Sequence, residues 1–500
     1  MKNTVYIPSS INSPEFEILL SKCQIILDKK EELDIIVCGG SKNYACSNNI
    51  FSQTSICKIC KKNTKKGLEK LKGKFNLIYT PSIKSKKHLI SKMVIKNVNT
   101  LKRKKINNYD IGLSVYSSYI NTSRDHELEG FLANYSIKKL FSTSLMLNEF
   151  FQKYVSKFKP KKIILYNGRH NQNRVLLRCG LLNKIDTEVM EFSGDGESNK
   201  GVRCFKNHLP TDLDYLYKLI QQNWRSSSKK NKCDYYFKYK AAGRIVNDKA
   251  SYILKQKSNI IPSFWQKDKR NIVYFTSSQD EYAALGGKYD ETIYKNQTES
   301  IQKIIREVKK NNKNSSKKKI YFWIRCHPNL ENVFWSYNRS IDKFHDPQNC
   351  IFVIPPDSVV SSYKIMRICE KVLTYNSLTG IEAVYWNKPS IVLGRRVYEK
   401  LNCIYSPKNH EENMRLIFDE NLKKKGRHGA IKFASFWVEG GFKLKYLTGS
   451  MLNGYMFKNQ ALRLNGFQKL TYYYEKIKQL YVYNYIISFK LSKILKKIMN

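Results

Sequence analysis

Residues 320–328 read IYFWIRCHP and residues 353–396 read VIPPDSVVSSYKIMRICEKVLTYNSLTGIEAVYWNKPSIVLGRR. Ile320 to Ile324 is a continuous apolar run, too short for a helix and rich in aromatic and β-branched residues. It reads as a buried parallel strand that stops at Arg325-Cys326-His327-Pro328. Lys371 to Tyr375 is a second such strand, followed by Asn376-Ser377-Leu378-Thr379-Gly380 and a helical run from Ile381 to Trp386. Asn387-Lys388-Pro389 ends that helix, and Ser390 to Leu393 is a third strand that closes on Gly394. Three strand ends therefore face one crevice, the place where open α/β sheets bind ligands. The N–H groups that open the helix, with the Ser377 and Thr379 hydroxyls beside them, are expected to form an anion site.

Working outward, Asn271 to Phe275 reads as the first strand of this domain, leading into Thr276-Ser277-Ser278-Gln279-Asp280-Glu281. Gln297 to Lys310 is helical, with Ile301, Ile304, Ile305 and Val308 on one face. Ile260-Ile261-Pro262 marks the linker to an N-terminal half built on the same pattern. There Leu33–Cys38, Phe75–Thr80, Lys161–Tyr166 and Thr187–Phe192 read as strands, and Leu33–Cys38 is taken as the first. Asn173–Leu182, Leu209–Trp224 and Tyr239–Leu254 read as helices. After Arg396, His410–Leu422 and Leu462–Leu480 are helical, whereas 433–447 fits either a strand or an irregular return. The expected fold is α/β, with two Rossmann-like domains facing a cleft. Their bounds are 1–258 and 259–425, and a segment from 426 to 500 follows.

The ordered set of His-Pro, Pro-x-Asp-Ser, Tyr363, Tyr-Asn-Ser, Gly380-Ile381-Glu382-Ala383 and Lys388-Pro389 resembles the bacterial capsule polysaccharide biosynthesis family. The match covers about 271–396, with a weaker echo at 166–178. The resemblance implies a GT-B glycosyltransferase fold whose last helices return to the N-terminal domain. It also implies a nucleotide-sugar donor, since some members transfer Kdo from CMP-Kdo. Carried over residue by residue, it puts His327 and Pro328 beside the nucleotide, and Arg325 before them is a further nucleotide-binding candidate. Ser377, Thr379 and Gly380 fall at its phosphate, Glu382 on ribose hydroxyls, and Ser277 and Ser278 toward the sugar-nucleotide. Arg169 and Arg174, in and after the Asn-Gly-Arg turn, have the fork geometry that suits a carboxylate or phosphate. No cofactor is implied, because the nucleotide sugar is itself substrate. The acceptor would be a polysaccharide or lipid-linked glycan.

A transferase needs a base within reach of the acceptor hydroxyl. Asp195 and Glu197, in the Gly-rich exit of the Thr187–Phe192 strand, stand where such a base would come from. Glu281 and His327 are the other candidates, although Asp-Gly turns and acidic helix starts account for the carboxylates equally well. Asp125, His126, Glu127 and Glu129 read as a capped helix start rather than a catalytic pair. A UDP-sugar transferase or epimerase and an inactive glycan-binding scaffold are the competing readings.

The 500 residues carry a formal net charge of +48 from 89 Lys+Arg against 41 Asp+Glu. Only 18 of the basic residues are Arg, and the lysines cluster with asparagine, a pattern of solvated surface. No nucleic-acid-binding signature accompanies them, so no specific nucleic acid partner is expected. The first twenty residues lack a signal-peptide pattern and no run of eighteen apolar residues occurs. A cytoplasmic protein is the expectation, with peripheral attachment at the inner face of the cytoplasmic membrane as an option, and the Tyr/Phe/Leu/Ile/Lys tail from 472 more often packs on the N-terminal domain than lies on an anionic membrane. The 12 cysteines are expected to be reduced thiols. Cys38, Cys46, Cys57 and Cys60 include one C-x-x-C pair. Buried cysteines are the preferred reading, with a zinc site as the weaker one.

Overall fold

The computed structural model describes residues 2–40, 44–81, 95, 97–106, 108–130, 132–192, 201–226, 233, 235–242, 256–314, 318–333, 335–450, 454–462 and 464–483. The first sheet contains β1 (Asn3–Ile7), β2 (Leu33–Val37), β3 (Asn76–Tyr79), β4 (Lys162–Tyr166), β5 (Asp186–Phe192) and β6 (Val202–Lys206). Their order is β3-β2-β1-β4-β5-β6, parallel throughout except for β6, which runs antiparallel to β5. The first strand is thus Asn3–Ile7 rather than Leu33–Cys38. Every β1 residue is buried, as a central parallel strand requires, and its two side-chain faces separate into two cores. Val5 and Ile7 pack with Phe16 and Leu20 of the helix Glu15–Asp28. Tyr6 points the other way, among residues of the helices Ile111–Ser123, Ala133–Phe158 and Asn171–Leu182.

The second sheet contains β7 (Arg270–Phe275), β8 (Ile320–Arg325), β9 (Ile351–Ile354), β10 (Lys371–Thr374) and β11 (Ser390–Val392), all parallel, in the order β11-β10-β7-β8-β9. Both sheets have the doubly wound Rossmann order, so each has a switch point where the chain leaves two neighbouring strands in opposite directions: β1/β4 in the first and β7/β10 in the second. Ile301, Ile304 and Val308 of the helix Gln297–Lys313 cover one face of the second sheet. Trp265, Tyr363, Ile365 and Met366 cover the other.

The two units share core. Ile381, Val384 and Tyr385 of the helix Thr379–Tyr385 belong to the same apolar cluster as the helices Leu213–Ser226 and Tyr235–Ala241. The stretch 433–447, which the sequence left between a strand and an irregular return, begins inside a helix, His428–Glu439, because Ala430, Phe433, Ala434 and Val438 share one buried face. This helix sends the chain back to the N-terminal unit. Arg203 of β6 donates to the carbonyls of Phe436 (3.0 Å) and Trp437 (2.8 Å), and its guanidinium lies over both rings. A hairpin of β12 (Leu447–Ser450) and β13 (Gly454–Phe457) then reaches the helix Glu15–Asp28. The helix Gly466–Tyr483 ends the described chain against the helix Thr54–Leu68.

Candidate functional site

The β7/β10 switch point is built by side chains that lock the strand ends together. Ser277 Oγ accepts from the Asn376 N–H at 2.9 Å, and Thr276 Oγ1 accepts from the His327 N–H at 2.8 Å. Gln297 holds both backbone groups of Ser277. Gly394 is required here because a Cβ would stand 2.5 Å from Asn376 Oδ1. Gly380 likewise allows its helix to lie on the sheet, since a Cβ would meet Tyr398 Oη at 2.8 Å and Val392 at 2.9 Å. Gly380 therefore serves close packing.

The expected helix-start anion site takes a different form. Its helix is only seven residues long, and its first amides are already engaged. The Thr379 N–H donates to Ser377 Oγ at 3.2 Å and the Gly380 N–H to the Ser377 carbonyl at 3.4 Å. The groups left over are side chains. Asn376 is 1% exposed, and neither its amide oxygen nor its amide nitrogen has a hydrogen-bond partner. Thr379 Oγ1 and Arg396 Nε are buried and unpartnered as well, while Arg396 Nη2 donates to the Asn376 carbonyl. Native proteins seldom leave several such groups unpaired in one place. Neutral amide, hydroxyl and guanidinium donors converging on a crevice are the chemistry of an oxyanion or phosphate site.

The His-Pro turn flanks this cradle. His327 Nδ1 accepts from the Asn329 N–H at 3.1 Å, which puts the proton of the neutral ring on Nε2 and makes that atom a donor. Pro328 opens the 3₁₀ turn Pro328–Leu330. Arg325 is 1% exposed, and its guanidinium is committed to Ser362 Oγ and to the carbonyls of Pro355 and Ser358. Burial pulls its pKa down to about 10. It braces the Pro355–Ser358 loop. Ser278 Oγ accepts from Arg124 at 2.7 Å and donates to Asp280 at 2.6 Å.

Glu382 is 4% exposed, paired with Lys240 Nζ and hydrogen-bonded by Tyr363 Oη at 3.0 Å. Burial alone would depress the Lys240 ammonium, but the carboxylate beside it more than reverses this and holds it well above the usual lysine range. Both Glu382 oxygens thus have partners before any ribose arrives.

Arg169 lies across the cleft, at the β4 exit of the other switch point. Burial pulls its pKa down, while the charges of Glu191 and, from the second unit, Glu281 and Tyr289 oppose this. Its Nε is buried without a partner. Beside it, burial and the Arg169 charge lower His170 to about 3, so the imidazole is neutral. Arg174 is engaged elsewhere: with Arg178 it grips Asp110. Burial opposes the Asp110 charge, yet the two guanidinium groups win and hold the carboxyl well below the usual range. Glu281 is exposed and accepts from Asn329 Nδ2 at 3.2 Å. Asp195 and Glu197 lie outside the described residues.

A carboxyl that sequence reading passed over stands at the β1 exit of the same switch point. Glu15 is the first residue of its helix and accepts from Asn12 Nδ2 at 3.4 Å. Burial foremost, with Glu191 and Glu17 adding to it, pushes Glu15 up to about 8 against the Asn12 hydrogen bond. Asn167 of the Asn-Gly-Arg turn holds Glu191 at 2.8 Å. Asp125 is a turn anchor, accepting from Tyr119, Glu129 and Gly130 ahead of a helix that begins at Ala133, and His126 packs edge-on against Tyr337.

Cys38, Cys46, Cys57 and Cys60 line one cavity with Pro8, Ser9 and Tyr44. Among the described residues no group of three His, Cys, Asp or Glu side chains is arranged to hold a metal ion. Burial raises the pKa of Cys38, Cys57 and Cys46, the last to about 12. All 12 cysteines are free.

A family model described as capsule polysaccharide biosynthesis protein matches residues 212–405. The match covers less than half of the 500 residues, and over it the chain is similar to that family. The matched stretch contains the whole β7/β10 crevice and Lys240, while Glu15 and Arg169 lie before it. Among solved structures the chain is similar to the KpsC beta Kdo 2,4 transferase of Thermosulfurimonas dismutans, at 11% identity over 56% of this chain and 79% of that one, TM-score 0.33. It is also similar to the UDP-GlcNAc 2-epimerase of Methanocaldococcus jannaschii in complex with UDP-GlcNAc and UDP, at 13% identity over 86% and 98%, TM-score 0.28. MnaA of S. aureus, solved with UDP, matches at 11% identity over 87% and 94%, TM-score 0.29. Likenesses of this size carry no argument about donor or chemistry. No curated protein matches the chain.

Proposed function

We propose that this protein is a capsule-synthesis glycosyltransferase that binds a nucleotide-activated sugar at the β7/β10 crevice and an acceptor glycan against the β1/β4 side of the cleft. The observation that carries the reading is the set of buried, unpartnered Asn376, Thr379 and Arg396 side-chain atoms at the switch point, with Arg169 opposite. In the transfer, an acceptor hydroxyl attacks the anomeric carbon, the bond from that carbon to the donor phosphate breaks, and the nucleotide leaves with the electron pair. Arg396, Asn376, Thr379 and the His327 Nε2–H stabilise the charge that develops on the leaving phosphate. Glu15, with a pKa near the working pH, takes the acceptor proton.

A CMP-linked donor is the first choice, on the residues His327-Pro328 and Ser377 that resemble CMP-sugar enzymes, and a UDP-linked donor is the alternative. The test is release of free CMP or UDP from a panel of activated sugars, with and without acceptor glycans. Acceptor-dependent release by wild type that is lost in Arg396→Met supports the reading. Glycan binding with no nucleotide release or nucleotide binding, in wild type and variant alike, identifies a scaffold instead.

A further inference from the structure

Among the described side chains of the helix Gly466–Tyr483, one face packs on the helix Thr54–Leu68. Glu475 accepts from Gln53 Nε2 and, at 3.0 Å, from Ser55 Oγ, and Tyr472 is half-buried beside Cys46 and Cys60. The opposite face carries Phe467, Leu470, Tyr473, Tyr474 and Ile477, which are 80%, 72%, 53%, 64% and 53% exposed. These are five of the fifteen exposed large apolar side chains among the described residues, gathered within eleven positions. At 3.6 residues per turn they span about 120° of the helix surface, the width of a buried face on an ordinary amphipathic helix. Lys469 borders the stripe, and Glu475, the one acidic residue of the helix, is turned inward. The underlying helix is basic. Lys58, Lys61, Lys62, Lys65 and Lys66 are all exposed and it contains no acidic residue.

We propose that this pair of helices is a docking surface for an anionic membrane, with the aromatic and leucine side chains entering the headgroup region and the lysines meeting anionic lipid. Two features select this occupant. An apolar stripe of Phe, Leu, Ile and Tyr beside a lysine-only helix has the make-up of an interfacial membrane helix. A second copy would bring a molecule of net charge +48 against the same lysines. The sequence that follows, 484–500, adds Lys490, Lys493, Lys496 and Lys497 and no acidic residue. Among the described residues no helix is long and apolar enough to cross a bilayer, so the contact is one of lying on the surface. The proposal is independent of the transferase reading.

The experiment is co-sedimentation of the full chain with vesicles of phosphatidylcholine alone and of phosphatidylcholine with 40 mol% phosphatidylglycerol, at low and high salt. Wild type is expected to bind the anionic vesicles at least about tenfold more tightly than the neutral ones, with the difference collapsing at about 0.5 M salt. Leu470→Glu/Tyr474→Glu should weaken anionic binding at least about tenfold. Lys61→Glu/Lys62→Glu/Lys65→Glu should remove the salt dependence, and Tyr474→Phe should keep wild-type binding. All these positions are exposed, so unchanged thermal unfolding verifies that the variants are folded. No wild-type binding to anionic vesicles, or equal binding by the Leu470/Tyr474 variant, overturns the proposal. So does a concentration-dependent dimer that this variant abolishes while vesicle binding persists.

Discussion

Replacing Asn376 by leucine should strengthen the ligand-free protein while weakening its grip on nucleotide. The side chain is 1% exposed and both polar atoms lack partners, so the free protein carries the desolvation cost of an unpaired amide, about 1–3 kcal/mol. Leucine has nearly the same shape and removes that cost. Gly394 leaves room for the second branch, because the amide oxygen already occupies the space a Cβ would fill. Discounting for the larger methyl groups, a gain of about 1 kcal/mol is expected, which raises Tm by about 2–4 °C for a unit of this size. A donor phosphate would lose an amide hydrogen bond to a charged oxygen, about 1.5–3 kcal/mol, or roughly 10- to 150-fold in Kd. Thermal unfolding without ligand and calorimetric titration with CMP and UDP measure the two halves separately. A variant that melts lower than wild type and binds nucleotide equally well would refute the reasoning, because Asn376 would then be an ordinary core residue with partners.

The remaining expectations concern charge. Lys240→Met leaves the Glu382 carboxylate, whose side chain is 6% exposed, with Tyr363 alone. Breaking this pair should cost about 3 kcal/mol in denaturant unfolding, and Lys240→Met/Glu382→Gln should recover most of it. Asp110 has a lowered folded pKa, so its stabilisation is complete above its unfolded value of about 3.9 and is lost as pH falls through the folded value. Arg174→Leu should therefore move the acid-unfolding midpoint to higher pH, read by circular dichroism. Glu15 has a raised folded pKa of about 8, so the native state holds the extra proton and wild-type stability falls as pH climbs from about 4.3 toward 8. Glu15→Gln should match wild type near pH 4 and exceed it progressively up to pH 8. In the same variant turnover should fall at least about 100-fold with donor KM little changed.

The parallel strands were legible in the sequence because burial on both faces leaves uninterrupted apolar runs, as at Ile320–Ile324 and Lys371–Tyr375. β1 was not, since Asn3-Thr4 opens it with polar residues, although Asn3 and Thr4 are as buried as Val5. The helix His428–Glu439 was obscured by Gly440-Gly441 and by aromatics that suit a strand equally well. At the site, the order His-Pro, Tyr-Asn-Ser and Gly-Ile-Glu falls at the β7/β10 strand ends, and the side chains with unpartnered polar atoms there are partly others. Ser277 and Ser278 have their hydroxyls engaged in joining elements, and Arg174 and Arg325 brace loops and helices. Asn376 and Arg396 bracket the same strand ends, and the Asn376 side-chain amide and Arg396 Nε have no partner. A sequence shows which residue types stand at a strand exit, but which of them already has a partner depends on residues far away, such as Gln297 for Ser277 and Asp110 for Arg174. Lys240 gave no local signal, because its partner Glu382 lies 142 positions away.

The two halves of the site come from different units, so its geometry depends on how those units are joined. On one side the join is apolar and continuous: Phe237 stacks on Tyr385 at 4.5 Å, Tyr398 meets Phe433 edge-on, and all four belong to one core. An interface of that kind resists sliding, because each displacement exposes packed surface. On the other side the join is polar. Arg124, at the end of the helix Ile111–Ser123, reaches Asp280, Ser278 and the Asn329 carbonyl, each at 2.7 Å, and Trp335 Nε1 donates to the Ser123 carbonyl at 2.9 Å. Asp214 meets Lys288 and Lys400 in solvent-exposed pairs that water replaces at little cost. Polar contacts exchange for water far more cheaply than a shared core opens. The helix Thr379–Tyr385 therefore lies on the side of the join that resists displacement, and Arg124, which touches the loops after both β7 and β8, belongs to the polar side.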